Sequence, residues 1–164
     1  MEVLIMTKVN VLELASYISN RYAQENNEHI DEVKLHKLLY FSQREALIQE
    51  DMPLFDDVFQ AFKFGPVIPI VRTAYKDESL ADIQEANLTD EQLRIMNYVF
   101  SQYSQKDSRS LVRLTHGEQS WKNARAGISE FEDCKNEMLM EDIKEDADRQ
   151  KNRRKALREL GLLE

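Results

Sequence analysis

The sequence predicts a mainly α-helical fold, and three observations support that prediction. The 164 residues include only four glycines and three prolines, so long regular elements meet few breakers. Apolar residues recur at helical spacing in several segments, most of them preceded by a side chain that can cap a helix. A composition of 42% hydrophobic and 32% charged residues is typical of a globular chain. We therefore expect a compact helical domain around a central buried helix, with a charged C-terminal helix.

The first two helices are predicted from their caps and apolar stripes. Asn10 and Glu13 have the spacing of a capping box, and an apolar stripe runs from there to Tyr22. Asp31 is a suitable cap for a second helix over about residues 32–50. Its apolar residues spread beyond one face, which predicts that this helix lies at the centre of the core.

The middle of the chain is less regular. Residues 58–64 are rich in aromatic and β-branched side chains, so a short β segment and a helical turn both fit. Gly65-Pro66 predicts a turn that closes this segment. Pro69 suits the first turn of a third helix, where its missing N–H costs nothing, and this helix should end near Lys76.

Two further helices are predicted in the next part of the chain. Thr89 and Gln92 have the spacing of a second capping box, which opens a helix that ends near Tyr103. Ser108 is the expected cap of a short helix, and Gly117 is expected to end it in the left-handed conformation. Residues 121–126 should add one more helical turn.

The last helix is expected to begin near Asp133 and to carry two opposite blocks of charge. Residues 130–148 hold nine acidic side chains, and a basic block follows, formed by Arg149, Lys151, Arg153, Arg154, Lys155 and Arg158. This order matches the helix dipole, and Glu145 and Arg149 have the spacing of an i,i+4 ion pair. The pattern favours a solvated helix; a nucleic-acid-binding arm and a handle for a partner protein are the alternatives. We divide the chain into a helical domain, residues 1–130, and a C-terminal helix, residues 131–164, that packs on the domain or extends from it.

Several classes of protein are disfavoured by the sequence. The net charge of −8 is opposite to that of a protein that binds nucleic acid over its whole surface. Cys134 is the single cysteine, so no intramolecular disulfide and no multi-cysteine metal cage can form. The apolar stretch at residues 1–6 is too short for a signal peptide, and no apolar run is long enough to span a bilayer. We expect a cytoplasmic protein with no membrane contact.

The sequence contains no glycine-rich phosphate loop, no zinc-protease motif and no nucleophile elbow. The most site-like cluster is His116 with Glu118 and Thr115, since an imidazole and a carboxylate can share a proton or a metal ion. The favoured interpretation is structural, because one histidine and one carboxylate are too few ligands for zinc. In it, His116 sits at a helix end and bonds backbone carbonyls, and Glu118 caps the next turn. His36 is either part of a polar patch with Tyr40 or a buried structural histidine.

Three groups of motifs, in order along the chain, carry a family resemblance. They are KLHKLLYFSQ at residues 34–43, the segments PLF at 53–55 and FQAFKFGPVIP at 59–69 with Tyr75, and LTHGEQSW at 114–121. This ordered set resembles the SocA-type Panacea antitoxin domain, a family also met in prophages and mobile genetic elements, over roughly residues 8–125. Two positions depart from the family pattern: Ser120 stands where Pro or Ala often precedes the tryptophan, and Phe62 stands where Trp is common. These departures preserve the fold and bear on the choice of partner.

The resemblance implies an all-α antitoxin of a toxin–antitoxin system that neutralises a cognate toxin by direct binding. It also implies a possible role as a proteolytic adaptor that delivers the toxin to a ClpXP-type protease. It transfers no catalytic residue, no cofactor and no metal, so we do not expect an enzyme. Most motif residues should support the fold, and a minority should contact the partner. The set comprises Lys37, Tyr40, Gln43, Phe62, Gly65, Pro66, Tyr75, Thr115, His116, Glu118 and Trp121.

Two other hypotheses remain beside the antitoxin. One is a nucleic-acid-binding regulator that uses the basic arm from Arg149 to Arg158. The other is a hydrolase or metal enzyme centred on His116 and Glu118.

Overall fold

The computed structural model describes residues 5–163, so the first four residues of the apolar stretch at 1–6 and the last residue of the chain lie outside it. The elements, in chain order, are α1 (Val11–Asn26), α2 (Glu32–Glu50), β1 (Gln60–Phe62), β2 (Gly65–Val67), α3 (Pro69–Lys76), α4 (Asp90–Tyr103), α5 (Ser108–His116), α6 (Gln119–Ala124) and α7 (Met140–Glu159), with a 3₁₀ turn at Ser79–Asp82. The predicted mainly α-helical fold is confirmed.

Helix α2 is the centre of the molecule. It contacts α1, α3, α4, α5, α7 and β2, and its apolar side chains are almost fully shielded from solvent. The Asp31 carboxylate accepts a hydrogen bond from the Lys34 backbone N–H at 2.7 Å, which satisfies one free donor at the start of the helix. The predicted range, cap and central position of α2 are confirmed.

The caps of α1 and α4 also follow from the sequence. The Asn10 side chain accepts from the backbone N–H groups of Leu12 and Glu13. At α4, Thr89 and Gln92 form both hydrogen bonds of the reciprocal capping box. The prediction that Pro69 opens α3 and that this helix ends at Lys76 is confirmed as well.

Residues 60–67 form a two-stranded antiparallel hairpin in which Phe62 pairs with Gly65. The turn therefore lies at Lys63 and Phe64, and the prediction that Gly65-Pro66 forms the turn is wrong. Gly65 opens the second strand with φ +109°, a conformation that L side chains rarely adopt. On the other side of β1, the Ala61 N–H donates to the Asn136 carbonyl at 2.8 Å.

The predicted boundaries of α5 are corrected in two places. Asp107, and not Ser108, is the N-cap, because its carboxylate accepts from the Ser110 N–H at 2.7 Å while the Ser108 hydroxyl donates to Asp31. Gly117 ends α5 at φ −79°, in the right-handed region and not in the left-handed one. Its N–H still bonds the carbonyls of the last helical turn.

The last helix begins at Met140 and not near Asp133. The preceding segment is held against β1, since the Met138 N–H donates to the Phe59 carbonyl at 2.8 Å, and paired backbone cannot also be helical. Helix α7 then packs against α2 and α6. The division into residues 1–130 and 131–164 stays a prediction. Within residues 5–163, none of the helices combines the length and the apolar character that crossing a membrane requires.

Candidate functional site

The hairpin is held by side chains from α5 and from the segment around α6. Three consecutive hairpin carbonyls accept hydrogen bonds: Ala61 from Arg125 at 2.9 Å, Phe62 from the Trp121 indole at 2.8 Å, and Lys63 from His116 at 2.8 Å. These bonds tie three consecutive hairpin carbonyls to side chains from outside the hairpin. We call this arrangement of His116, Trp121 and Arg125 on the hairpin the hairpin clamp.

Within the clamp, the rings of His116 and Trp121 stack with centroids 4.1 Å apart. Because a carbonyl oxygen can only accept, Nε2 of His116 carries the proton of the bond to Lys63. Burial lowers the pKa of His116, so the neutral ring is favoured. Trp121 is 5% exposed, as expected for a core residue. His116, the last residue of α5, thus bonds a backbone carbonyl as anticipated, and that carbonyl belongs to the hairpin.

Glu118 has partners different from those of His116. Its carboxylate accepts from the Tyr40 hydroxyl at 2.7 Å and forms an ion pair with Arg44 at 2.7 Å. Burial raises the pKa of Glu118, while Arg44 opposes that rise. Glu118 is the N-cap residue of α6 but its side chain makes no capping bond, so that part of the prediction is wrong. His116 and Glu118 form no hydrogen bond with each other in the described part of the chain.

The capping of α6 is performed by Asp146 from the last helix. Its carboxylate accepts from the backbone N–H groups of Gln119 at 3.0 Å and Ser120 at 2.9 Å. The Tyr40 hydroxyl also lies 3.3 Å from this carboxylate. Burial, followed by the charges of Glu118 and Asp146, raises the pKa of Tyr40 well above its ordinary value. Tyr40 is therefore a hydrogen-bond donor that joins α2, α6 and α7.

Lys37 lies under the second strand of the hairpin and is 1% exposed. Its ammonium group donates to the Pro66 carbonyl at 3.4 Å, a long bond. Burial lowers the pKa of Lys37 to about 7, although Glu32 and Asp31 favour the charged form. A Cβ at Gly65 would stand 2.6 Å from Lys37 Cε and 2.6 Å from Thr115 Oγ1. The absence of a side chain at Gly65 is what allows this close approach.

The remaining motif residues hold backbone segments in place. The Gln43 amide accepts from the Leu54 N–H at 2.7 Å and donates to the Phe55 carbonyl at 2.8 Å. The Tyr75 hydroxyl donates to the Ile30 carbonyl at 2.7 Å. Phe62 is half-buried beneath the guanidinium of Arg72, 5.4 Å from the ring centroid.

His36 does not form the polar patch with Tyr40 that was one of its two interpretations. Its Nδ1 accepts from the Ile68 N–H at 3.4 Å, and its Nε2 has no hydrogen-bond partner. Burial, followed by the charges of Lys37 and Arg72, lowers the pKa of His36 to about 3. His36 is thus a neutral, buried residue at neutral pH.

The basic block of the last helix is divided between two environments. Arg154 is 6% exposed and forms two hydrogen bonds with the buried Glu45, at 2.8 and 3.0 Å. Arg149 pairs with Asp146 at 2.7 Å, and not with Glu145 as the spacing predicts. The four other basic side chains are exposed: Lys151, Arg153, Lys155 and Arg158.

Sequence reasoning missed Arg44, Glu45, Arg125 and Asp146 as organising residues. For Arg44 a signal was available, because it follows Tyr40 by four positions and so shares its helix face. Asp146 and Arg154 lie in a charge run in which each neighbour has the same chemistry, so the sequence does not distinguish them.

The described residues form no metal centre, and an open cavity lies beside α1. No group of three or more His, Cys, Asp and Glu side chains in residues 5–163 is arranged to hold a metal ion. A cavity of about 530 Å³ lies between α1, α3 and the 3₁₀ turn, lined by residues that include Ser19, Ile30, Tyr75 and Leu80. Tyr75 is the one predicted site residue among those that line it.

Comparison with known proteins gives one finding that bears on function. The model of the family described as Antitoxin SocA-like, Panacea domain matches residues 35–122, more than half of the chain. The matched span contains every motif residue from Lys37 to Trp121 and omits α1 and α7. It is narrower than the span of 8–125 over which the motifs are similar. No curated protein and no solved structure matches the chain.

Proposed function

This chain belongs to the antitoxin SocA-like, Panacea domain family, and on that premise we propose that it neutralises a cognate toxin by binding it directly. The family match over residues 35–122 is the observation that carries the proposal. A toxin partner is implied by the family in general. Its identity, and the site on this chain that it contacts, belong to the proposal.

The positions of the motif residues support a binding role over a chemical one. His116, Trp121 and Gln43 bond backbone groups, and Tyr40 and Glu118 bond each other. Each of these polar groups has a partner within the protein, so a structural role accounts for it without a substrate. We therefore propose that the motif builds a rigid scaffold and that the chain is not an enzyme.

The test begins with the neighbouring open reading frame. Expression of the neighbour alone should stop growth, and co-expression of this chain should restore it. Purified together, the two proteins should elute as one complex, since neutralisation by direct binding needs no other component. A non-toxic neighbour, or a toxic one that this chain neither binds nor neutralises, would refute the proposal.

We further propose, as a second step, that the bound toxin is delivered to a ClpXP-type protease in the cytoplasm. The measurement is the half-life of the toxin in cells with and without that protease, each with and without this chain. Delivery predicts a shorter half-life only when both the chain and the protease are present. An unchanged half-life together with full growth rescue would establish neutralisation by occlusion alone.

A nucleic-acid-binding role is favoured by a single feature, the four exposed basic side chains of α7. Two of the six basic residues in the arm form ion pairs within the protein, Arg154 with Glu45 and Arg149 with Asp146. A gel shift with operon DNA tests this role, comparing the wild type with a variant that has alanine at Lys151, Arg153, Lys155 and Arg158. Binding that is strong at low salt, weakens steeply with salt and is lost in the variant would support it.

A further inference from the structure

The hairpin tip and the end of α5 lie against each other. The His116 side chain is 2.8 Å from the Lys63 carbonyl, and a Cβ at Gly65 would be 2.6 Å from the Thr115 hydroxyl oxygen. Phe64 lies between Lys63 and Gly65, and Leu114 directly precedes Thr115. Phe64 and Leu114 are therefore each one residue from a direct contact between the two elements.

Both of these apolar side chains are left in solvent. Phe64 is 58% exposed and Leu114 is 41% exposed. Single exposed apolar residues are ordinary; these two are of interest because each flanks a residue that joins the hairpin to α5. The exposed leucines at positions 160 and 162 differ, because they follow the end of the last helix.

The charge of this surface is opposite to that of the whole protein. Residues 58–76 carry three basic side chains and no acid, and two of the three, Arg72 and Lys76, lie near the Glu32 carboxylate. Residues 107–125 carry four basic side chains and two acids: Asp107, on which Arg113 and Arg109 act electrostatically, and Glu118, which is paired with Arg44. In a chain of net charge −8, this is a marked segregation. Lys63, Arg109 and Arg113 are all without an ion-pair partner among the described residues.

The Lys63 ammonium lies 5.4 Å from the Phe64 ring centroid, so a basic and an aromatic group are presented together. Arg109 and Arg113 are exposed and are four residues apart on α5, which places them on one face of that helix. Glu130 also acts on this region, since its charge favours the protonated form of His116. We call the surface formed by Lys63, Phe64, Arg109, Arg113 and Leu114 the hairpin face.

The hairpin clamp fixes this face before any partner arrives. The carbonyls of Ala61, Phe62 and Lys63 are each bonded to a side chain from outside the hairpin. A surface that is already ordered loses little conformational entropy on binding, so more of its contact energy appears as affinity. The residues of the hairpin clamp thus order the backbone of this surface.

We propose that the hairpin face is where the partner docks, and that it recognises a segment of the partner that carries acidic side chains around an apolar one. This inference rests on the proposed function and specifies its partner. The basic side chains of Lys63, Arg109 and Arg113 supply charge complementarity and attract the acidic segment over a distance. Phe64 and Leu114 supply the apolar contact that a purely ionic site lacks.

The experiment compares two pairs of variants for binding to the protein encoded by the neighbouring open reading frame. Phe64→Asp and Arg113→Glu change the hairpin face. The controls are Leu160→Asp, just beyond the end of α7, and Arg153→Glu, on α7 itself. Like the hairpin-face variants, they replace one apolar and one basic side chain by acidic ones. All four side chains are exposed, so the midpoint temperature of thermal unfolding should be nearly unchanged in each variant. We expect the two hairpin-face variants to bind at least about tenfold more weakly, and the two controls within about threefold of the wild type.

The outcomes separate the inference from the function on which it rests. Tight binding by all four variants overturns the inference and leaves the antitoxin role intact. Failure of the wild type to bind or neutralise the neighbour removes the antitoxin role and this inference with it. Two other outcomes would show that the hairpin face binds something other than the partner protein. One is a wild-type dimer that Phe64→Asp converts to a monomer, and the other is operon DNA binding that Arg113→Glu abolishes. In these cases a second copy or a nucleic acid occupies the face.

Discussion

Helices α2 and α7 are nearly equal in length but opposite in environment. In α2, 14 of 19 residues are buried, whereas in α7 only Ile143, Asp146, Ala147 and Arg154 are buried among 20 residues. Both helices carry many charges. The difference shows that the number of charged residues on a helix does not determine whether it is in the core.

The two helices differ in whether their charged side chains are paired with protein groups or solvated by water. In α2, Lys34 donates to the Tyr22 hydroxyl and the Ser104 carbonyl, and Arg44 and Glu45 have ion-pair partners. In α7, most charges need no partner because water solvates them. Asp146 and Arg154 are the exceptions, and they are the side chains through which α7 is bonded to the body of the protein. A buried charge without a partner is costly, so these few contacts should dominate the energetics of the helix.

Neighbouring arginines on α7 give the sharpest test of this comparison. Arg154→Ala should lower the free energy of unfolding by about 3 kcal/mol, because it leaves the Glu45 carboxylate buried without a counter-charge. Arg153→Ala, one residue away and exposed, should change it by no more than about 0.5 kcal/mol. Urea unfolding followed by circular dichroism measures both. Equal effects of the two substitutions would show that the ion pair with Glu45 contributes nothing to the stability.

Asp146 and Asp148, both in the acidic block of α7, give a second test of the comparison, because the first is buried and the second is exposed. Asp146→Ala should lower the free energy of unfolding by about 2 kcal/mol, because two N–H groups at the start of α6 lose their acceptor. Asp148 is exposed, and Asp148→Ala should be close to neutral. Amide hydrogen exchange adds a local measurement: Gln119 and Ser120 should lose protection in Asp146→Ala. Protection of both amides in that variant would rule out the proposed cap.

The buried histidine of α2 predicts a dependence of stability on pH. Burial lowers the pKa of His36 to about 3, so between that value and its ordinary pKa the unfolded chain binds a proton that the folded protein does not. Stability contributed by neutral His36 is therefore present above pH 6.5 and falls as pH decreases towards 3. From pH 8 to pH 5.5 the loss should be about 1.4 kcal/mol.

The control for this prediction is His29, which is exposed. His36→Gln should remove this component of the pH dependence, whereas His29→Gln should leave it. The measurement is urea unfolding of the three proteins at both pH values. Lys37, whose pKa is about 7, also contributes in this pH range, so the comparison is between proteins. An equal loss of stability in the wild type and in His36→Gln would assign the dependence to another group.

Much of the fold is predictable from local signals. The caps Asn10, Asp31 and Thr89 mark helix starts correctly, because a side chain that bonds the first free N–H groups acts within three residues of sequence. The start of α7 was not predictable in this way. Residues after Asp133 have helical composition, but pairing with β1 holds them extended, and that partner is more than 70 residues away in the sequence.

The candidate site shows the same division. The motif containing His116, Glu118 and Trp121 identifies which residues matter, and the family match to residues 35–122 agrees with it. One of the two interpretations of the sequence gave His116 and Glu118 a shared function. The structure gives them separate partners, the hairpin and α2, because their side chains leave the end of α5 and the start of α6 towards different elements.

The sequence alone determined the helical class, the central position of α2, most helix starts and the family, since each depends on periodicity or on contacts between near neighbours. Only the tertiary structure decided which charges of the last helix are buried, where the hairpin turns and which basic residues stay free beside Phe64. Those outcomes depend on pairs such as Glu45 with Arg154, 109 positions apart. Like side chains in one run have the same local chemistry, and only the fold gives some of them a partner.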